Sequence, residues 1–137
     1  MKTILTANDG SESAKRAFQF AIELARGFRA SVTVVSVAQP SEPPASVETA
    51  ALLDAATEHF EKDFAVFRET AQAAGVPLQT VVVVGHPADQ IVHQAVEREA
   101  DMIVMGHRGK SRLQRWLLGS VSKRVLSYAP CTVTIVR

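Results

Sequence analysis

MIVMGHRGKSRLQRWLLGSVS occupies residues 102–122 and holds the plan of the chain in small. Met102-Ile103-Val104-Met105 is a short apolar run of the buried-strand type. Gly106, Gly109 and Gly119 punctuate the stretch after it, and Ser120 comes directly after Gly119. Glycine lets a backbone approach a ligand closely and adopt positive φ at little cost. A Ser at a helix start leaves free N–H groups beside the positive end of the helix dipole. Strand, glycine loop and helix N-terminus, in that order, form a physical recipe for holding phosphate. Arg108, Lys110, Arg112 and Arg115 lie in the same loop with no acidic residue, so its field favours an anion.

The same alternation extends back to the start of the chain. Thr3 to Ala7 is an apolar run that stops at Asn8-Asp9-Gly10, a strong turn signal. Ser11 caps the predicted helix after it, with Glu12 in the first turn. Ala14, Ala17, Phe18, Ala21, Ile22, Ala25 and Phe28 form one helical stripe facing a core, and Gly27 marks its end. Ser31 to Val37 is β-branched and reads as the second strand. Pro40, Pro43 and Pro44 make Gln39 to Ser46 a surface loop, too short to link two domains. A long helix is predicted from Val47 to Ala74, with Leu53, Ala56, Phe60, Phe64, Phe67 and Ala71 on one face. Gly75 ends it and Pro77 forbids its return.

Leu78 to Val84 is the third strand, and Pro87 opens a helix showing Ile91, Val92, Ala95 and Val96. Asp101 to Met105 is the fourth strand. A helix from Ser120 to Ser127 comes after the glycine loop, and Thr132 to Val136 is the fifth strand. Helical connections between successive strands argue for a parallel sheet with helices on both faces. The fold class expected is a single α/β domain over residues 1–137, a doubly wound five-stranded sheet of flavodoxin-like order 3-2-1-4-5. That order is assumed from the class. It sets the turn at Asp9 and the loop from Gly106 at one switch-point crevice.

Composition narrows the function classes. A chain of 137 residues is long enough for a real core, and its net charge of +1 carries no global polyanion signal. Cys131 is the single cysteine, which excludes an internal disulfide and a cysteine metal site. No apolar run approaches the ~20 residues that span a bilayer, and the start is too short and polar for a signal peptide. A soluble cytoplasmic protein, with no membrane partner, is the default expectation. Six basic residues from Arg108 to Arg124 lack an aromatic stacking ladder, so no nucleic-acid partner is expected. His59, His86, His93 and His107 do not fall at metal-ligand spacing. Gly109-Lys110-Ser111 imitates the tail of a P-loop, but Val104 stands where that loop needs glycine.

The chain resembles the universal stress protein family over essentially its whole length. The motif that carries the resemblance is Gly106, two residues, Gly109, nine residues, Gly119, Ser120, the spacing of the family's nucleotide-binding branch. Ile4-Leu5-Thr6-Ala7-Asn8-Asp9-Gly10-Ser11 is similar to the family's first strand and its aspartate. Ala129-Pro130-Cys131-Thr132-Val133 is similar to the family's Ala-Pro-Cys-Pro-Val. Thr132 and Asn8 are the departures. The resemblance implies ATP binding by a domain that dimerises. Gly106, Gly109, Gly119 and Ser120 would line the phosphates, with Val121 and Ser122 continuing the helix start. Ala7, Asn8 and Asp9 would border the nucleotide at the end of the first strand, Asp9 facing ribose or a metal ion. Val37 would offer backbone groups to the adenine edge, and His107 and Arg108 lie within the motif. A triphosphate normally brings a divalent ion, here Mg²⁺ or Mn²⁺.

Each assignment has a plainer rival. Asp9 braces a turn in many Asp-Gly sequences. Gly106 and Gly119 double as element terminators, and surface basic clusters are usually just solvated. Phosphoryl transfer wants a placed base and carboxylates for metal, and Asp9 is the only carboxylate near the expected crevice. A binding module with at most slow hydrolysis is therefore the first reading. An interaction module without nucleotide is the second: Thr132 to Val136 would leave an open sheet edge that pairing with a second copy closes. Slow ATPase or autophosphorylation is the third.

Overall fold

The computed structural model describes residues 1–40, 49–108 and 118–137. Strands and helices alternate throughout: β1 Thr3–Ala7, α1 Glu12–Phe28, β2 Ser31–Ala38, α2 Thr49–Ala74, β3 Leu78–Val84, α3 Pro87–Glu97, β4 Met102–Gly106, α4 Ser120–Tyr128 and β5 Thr132–Val136. Every strand pair is parallel and the order is β3-β2-β1-β4-β5, the doubly wound order expected. The predicted loop residues 41–46 and the predicted helix start at Val47 lie outside the described residues.

The strands are apolar on both sides because both sides are covered. Successive strand residues point to opposite faces. Ile4 joins Val32, Val34 and Val104 under α1 and α2. Leu5 joins Val35 and Ile103 under α3 and α4. Phe18 of α1 and Phe67 of α2 stack with ring centroids 4.1 Å apart, locking the two helices of the first layer together. Ile91, Ala95 and Val125 seal the second. Asp101 ties the bottom of the sheet, its Oδ2 accepting the Lys2 and Thr3 N–H groups at 2.7 and 2.9 Å.

Local chemistry explains the helix starts. Ser11 caps α1, its Oγ accepting the Ala14 N–H at 3.1 Å. Pro87 opens α3, where its missing N–H is no loss. Three expectations need correction at the helix ends. Gly27 does not end α1; the helix runs on to Phe28, and Arg29 takes the left-handed turn at φ 55. Phe28 is 55% exposed, because the buried stripe stops at Ala25 and the chain leaves for β2 within a turn. Val96 is likewise exposed in the last turn of α3, where Ala95 holds the buried position.

Candidate functional site

β1 is a short strand at the centre of the sheet, at five residues three shorter than its eight-residue neighbour β2. Its ladder with β2 ends at Ala7↔Val35 and its ladder with β4 at Thr6↔Val104. β2 continues along β3 to Ala38↔Val84. A notch therefore opens beyond the carboxyl end of β1, where strand order reverses. It holds a cavity of about 740 Å³, within the range of small-molecule sites, about 300–1,000 Å³.

The walls come from every neighbouring element. Ala7, Asn8 and Asp9 line the floor, with Ser11 and Ala14 from the start of α1. β2 and its extension give Val35, Val37 and Gln39, and α2 gives His59 and Phe60. Pro87 and Ile91 come from α3. Met105, Gly106 and Arg108 lead out of β4, and Leu118 to Ser122 enter α4. Of the residues expected to bind, Ala7, Asn8, Asp9, Val37, Gly106, Arg108, Gly119, Ser120, Val121 and Ser122 are thus brought together. Gly109, with Lys110, Arg112, Arg115 and Trp116, lies outside the described residues.

Three helix starts reach this cavity and they differ. α3 has no side-chain cap but opens with Pro87, which offers no N–H. α1 is closed by its own residues: Ser11 caps it, and Asp9 Oδ1 accepts the Ser11 N–H at 2.9 Å. α4 begins at Ser120 behind Gly119, and no side chain among the described residues caps it. The first-turn amides of a helix have no intrahelical acceptor. Those of Ser120, Val121 and Ser122 stand at the cavity wall with the positive end of the helix dipole behind them. A backbone bond from the Gly119 N–H to the His107 carbonyl, 3.0 Å, brings the two ends of the loop together. The Ser122 hydroxyl donates to the Gly106 carbonyl at 2.9 Å and fixes the first turn of α4 on the tip of β4.

The glycines act differently from the general expectation of positive φ. Gly119 has φ −59, and positive φ among the described glycines falls on Gly10, Gly75 and Gly85. Gly106 is required by packing: a Cβ there would sit 2.8 Å from the Ser13 backbone carbonyl. α1 therefore touches the end of β4 directly, and the Arg108 N–H reaches Ser13 Oγ at 3.3 Å.

Asn8 is a brace. It is buried, its Nδ2 donates to Ser36 Oγ and to Asp63 Oδ2 at 3.3 Å each, and its Oδ1 accepts the Gly10 N–H. Asp9 is exposed at the rim and shapes the turn through Ser11. His107 does not line the cavity. Its N–H donates to the Val136 carbonyl at 2.8 Å, and its Nε2 is buried with no partner among the described residues. Burial, then the charges of Arg137, Arg108 and Arg16, push this imidazole below its ordinary pKa, so it is neutral at pH 7.

Sequence reasoning missed Gln39, His59, Phe60, Pro87, Ile91 and Met105 as cavity residues, and likewise Ser11, Ala14, Val35 and Leu118. Gln39 carried a signal, lying two residues beyond Val37 and so on the same side of the strand. His59 and Phe60 carried none, because their distance from β1 is set by helix packing.

These features define a doubly wound α/β domain with a cavity at its switch point and, among the described residues, a helix start without a side-chain cap in the cavity wall. The chain belongs to the universal stress protein family, whose family model matches residues 1–137. A universal stress protein of Thermus aquaticus is 36% identical over 137 residues, 99% of this chain and 98% of the relative. Universal stress protein UspA of Lactobacillus plantarum superposes with a TM-score of 0.87 at 28% identity, covering 99% of this chain and 97% of that one. A universal stress protein in complex with cAMP superposes with a TM-score of 0.79 at 29% identity, covering 99% and 97%. Among the described residues no helix is long and apolar enough to cross a membrane.

Proposed function

We propose that this chain is a nucleotide-dependent stress-response module of the cytoplasm that binds ATP in the switch-point cavity. The uncapped start of α4, opening on that cavity while the start of α1 is closed, carries the reading. Phosphates accept hydrogen bonds from the amides of Ser120, Val121 and Ser122, with Arg108 adding charge. The opposite end suits a base. Val35 turns its carbonyl toward β1, where the Asn8 N–H takes it at 2.9 Å. Backbone groups alternate sides along a strand, so the N–H and C=O of Val37 face the same way. β1 has ended there, leaving a donor and an acceptor for the edge of an adenine. The relative solved with cAMP is an adenine-nucleotide complex of the same fold.

The acids present fit no resident metal ion. Asp9 is the one carboxylate among the described lining residues, and no group of three or more ligating side chains occurs among the described residues. Mg²⁺ or Mn²⁺ would arrive with the triphosphate, and Asp9 is the residue placed to meet it. With Asp9 the one acid among the described wall residues, we take binding as the function and turnover as slow at most; release of labelled phosphate measures that.

Equilibrium titration tests the reading. ATP binds with micromolar Kd, roughly −8 kcal/mol. Gly119→Val abolishes binding while the fold survives, because φ −59 suits valine and the branched side chain blocks the phosphates. No saturable ATP binding by the unaltered chain defeats the reading.

A second copy completes the assembly in this proposal. β5 has β4 on one side only, and Thr132–Val136 is partly exposed. Leu126 and Tyr128 of α4 are exposed beside it. Edge pairing buries these groups. Sedimentation at micromolar concentration gives a homodimer; a monomer rejects it. A dimer that binds no nucleotide would favour the pure interaction module.

A further inference from the structure

Strand order gives the cavity two unlike ends. β4 and α4 lie on one side of β1, and β2 lies on the other with α2 packed over it. A nucleotide with its phosphates on α4 therefore extends its base toward β2 and α2. There α2 brings His59 to the wall. Its ring stands edge-on to Phe60, centroids 4.9 Å apart at 73°. Phe60 is 8% exposed and Phe64 lies 6.2 Å beyond it, so the ring beneath His59 is held by the core. One turn along the same helix, Asp63 accepts the Asn8 Nδ2 hydrogen bond, tying α2 to the end of β1 under the cavity. The imidazole is thus an exposed aromatic surface on a fixed support, at the end of the cavity opposite the phosphate-binding amides.

We propose that His59 is the base-stacking and base-selecting residue of this site, favouring purine over pyrimidine nucleotides. This rests on the nucleotide reading of the cavity. Val37 offers only main-chain polar groups, which read one edge of a base. The area available for stacking is set by the aromatic wall, and a two-ring base covers more of it. Stacking on an aromatic side chain is a large part of base affinity in open sites.

Titrations with ATP, UTP and inorganic tripolyphosphate, on the unaltered chain and three variants, test this. His59→Ala weakens ATP roughly tenfold, UTP less, and tripolyphosphate not at all. His59→Phe keeps the ATP affinity and the preference over UTP, whereas His59→Asn loses both. The proposal falls if His59→Ala binds ATP as the unaltered chain does. It also falls if tripolyphosphate weakens equally, or if asparagine rescues and phenylalanine does not, which marks a hydrogen bond. Normal ATP binding by His59→Ala leaves the nucleotide reading standing; no ATP binding by the unaltered chain overturns both.

Discussion

Gly106→Ala and Gly27→Ala are the same chemical change with opposite expected signs. At Gly106 a methyl group would lie 2.8 Å from both the carbon and the oxygen of the Ser13 carbonyl. An ordinary contact begins near 3.4 Å, so the first turn of α1 or the tip of β4 must yield by about 0.6 Å. Both are anchored, α1 by the Ser11 cap and β4 by ladders to β1 and β5. Overpacking of this kind costs about 1–3 kcal/mol. For a domain of this size that lowers Tm by roughly 4–12 °C. Gly27 lies inside α1 with nothing within 4 Å of the added carbon. Alanine there relieves the entropy that glycine loses in a helix, a gain of about 0.5–1 kcal/mol. Thermal melts and urea titrations of both variants give the comparison. Equal stability of Gly106→Ala and the unaltered chain, or a loss at Gly27→Ala, would refute the reasoning. Gly106 lines the cavity, so under the proposed function Gly106→Ala also weakens ATP binding.

Asp101→Asn lowers Tm at neutral pH, because the carboxylate accepts two backbone N–H groups that hold its pKa below the usual carboxylate range. A depressed acid stabilises above its unfolded value, about 3.9, so the Tm gap closes as pH falls below 4 toward the folded pKa. For His107 the folded pKa is also depressed, by burial first and then by three arginines. The unfolded imidazole takes its proton near pH 6.5 and the folded one resists, so stability falls with pH below that value. His107→Gln flattens this slope in melts between pH 7 and 5, and an unchanged slope contradicts the assignment.

Much of the architecture was legible residue by residue. Val32, Val34 and Val35 announce a strand wanted on both faces, and Pro87, Gly75 and Ser11 mark boundaries by the backbone each permits. The spacing Gly106, Gly109, Gly119, Ser120 pointed to an anion at the start of α4. Such features depend on local conformation, so neighbours along the chain suffice to state them. Misjudged residues came where burial depends on distance. Phe28 continued the stripe of α1 but lies where the helix leaves the sheet. Asn8, read as a ligand neighbour, does line the cavity; what the sequence did not show is that it is also a brace, because Ser36 and Asp63 meet it from β2 and α2. Gly106, read as a ligand-facing glycine, does line the cavity, and Ser13 in addition sets its size from 93 residues away in sequence. The cavity itself was legible only as a position, the switch point of an assumed strand order. Its volume, the closed start of α1 against the open start of α4, and the aromatic wall at His59 are products of packing. Hydrogen bonding and backbone preference act over a few residues and are encoded locally, whereas the shape of an unfilled space is fixed by how distant side chains exclude one another.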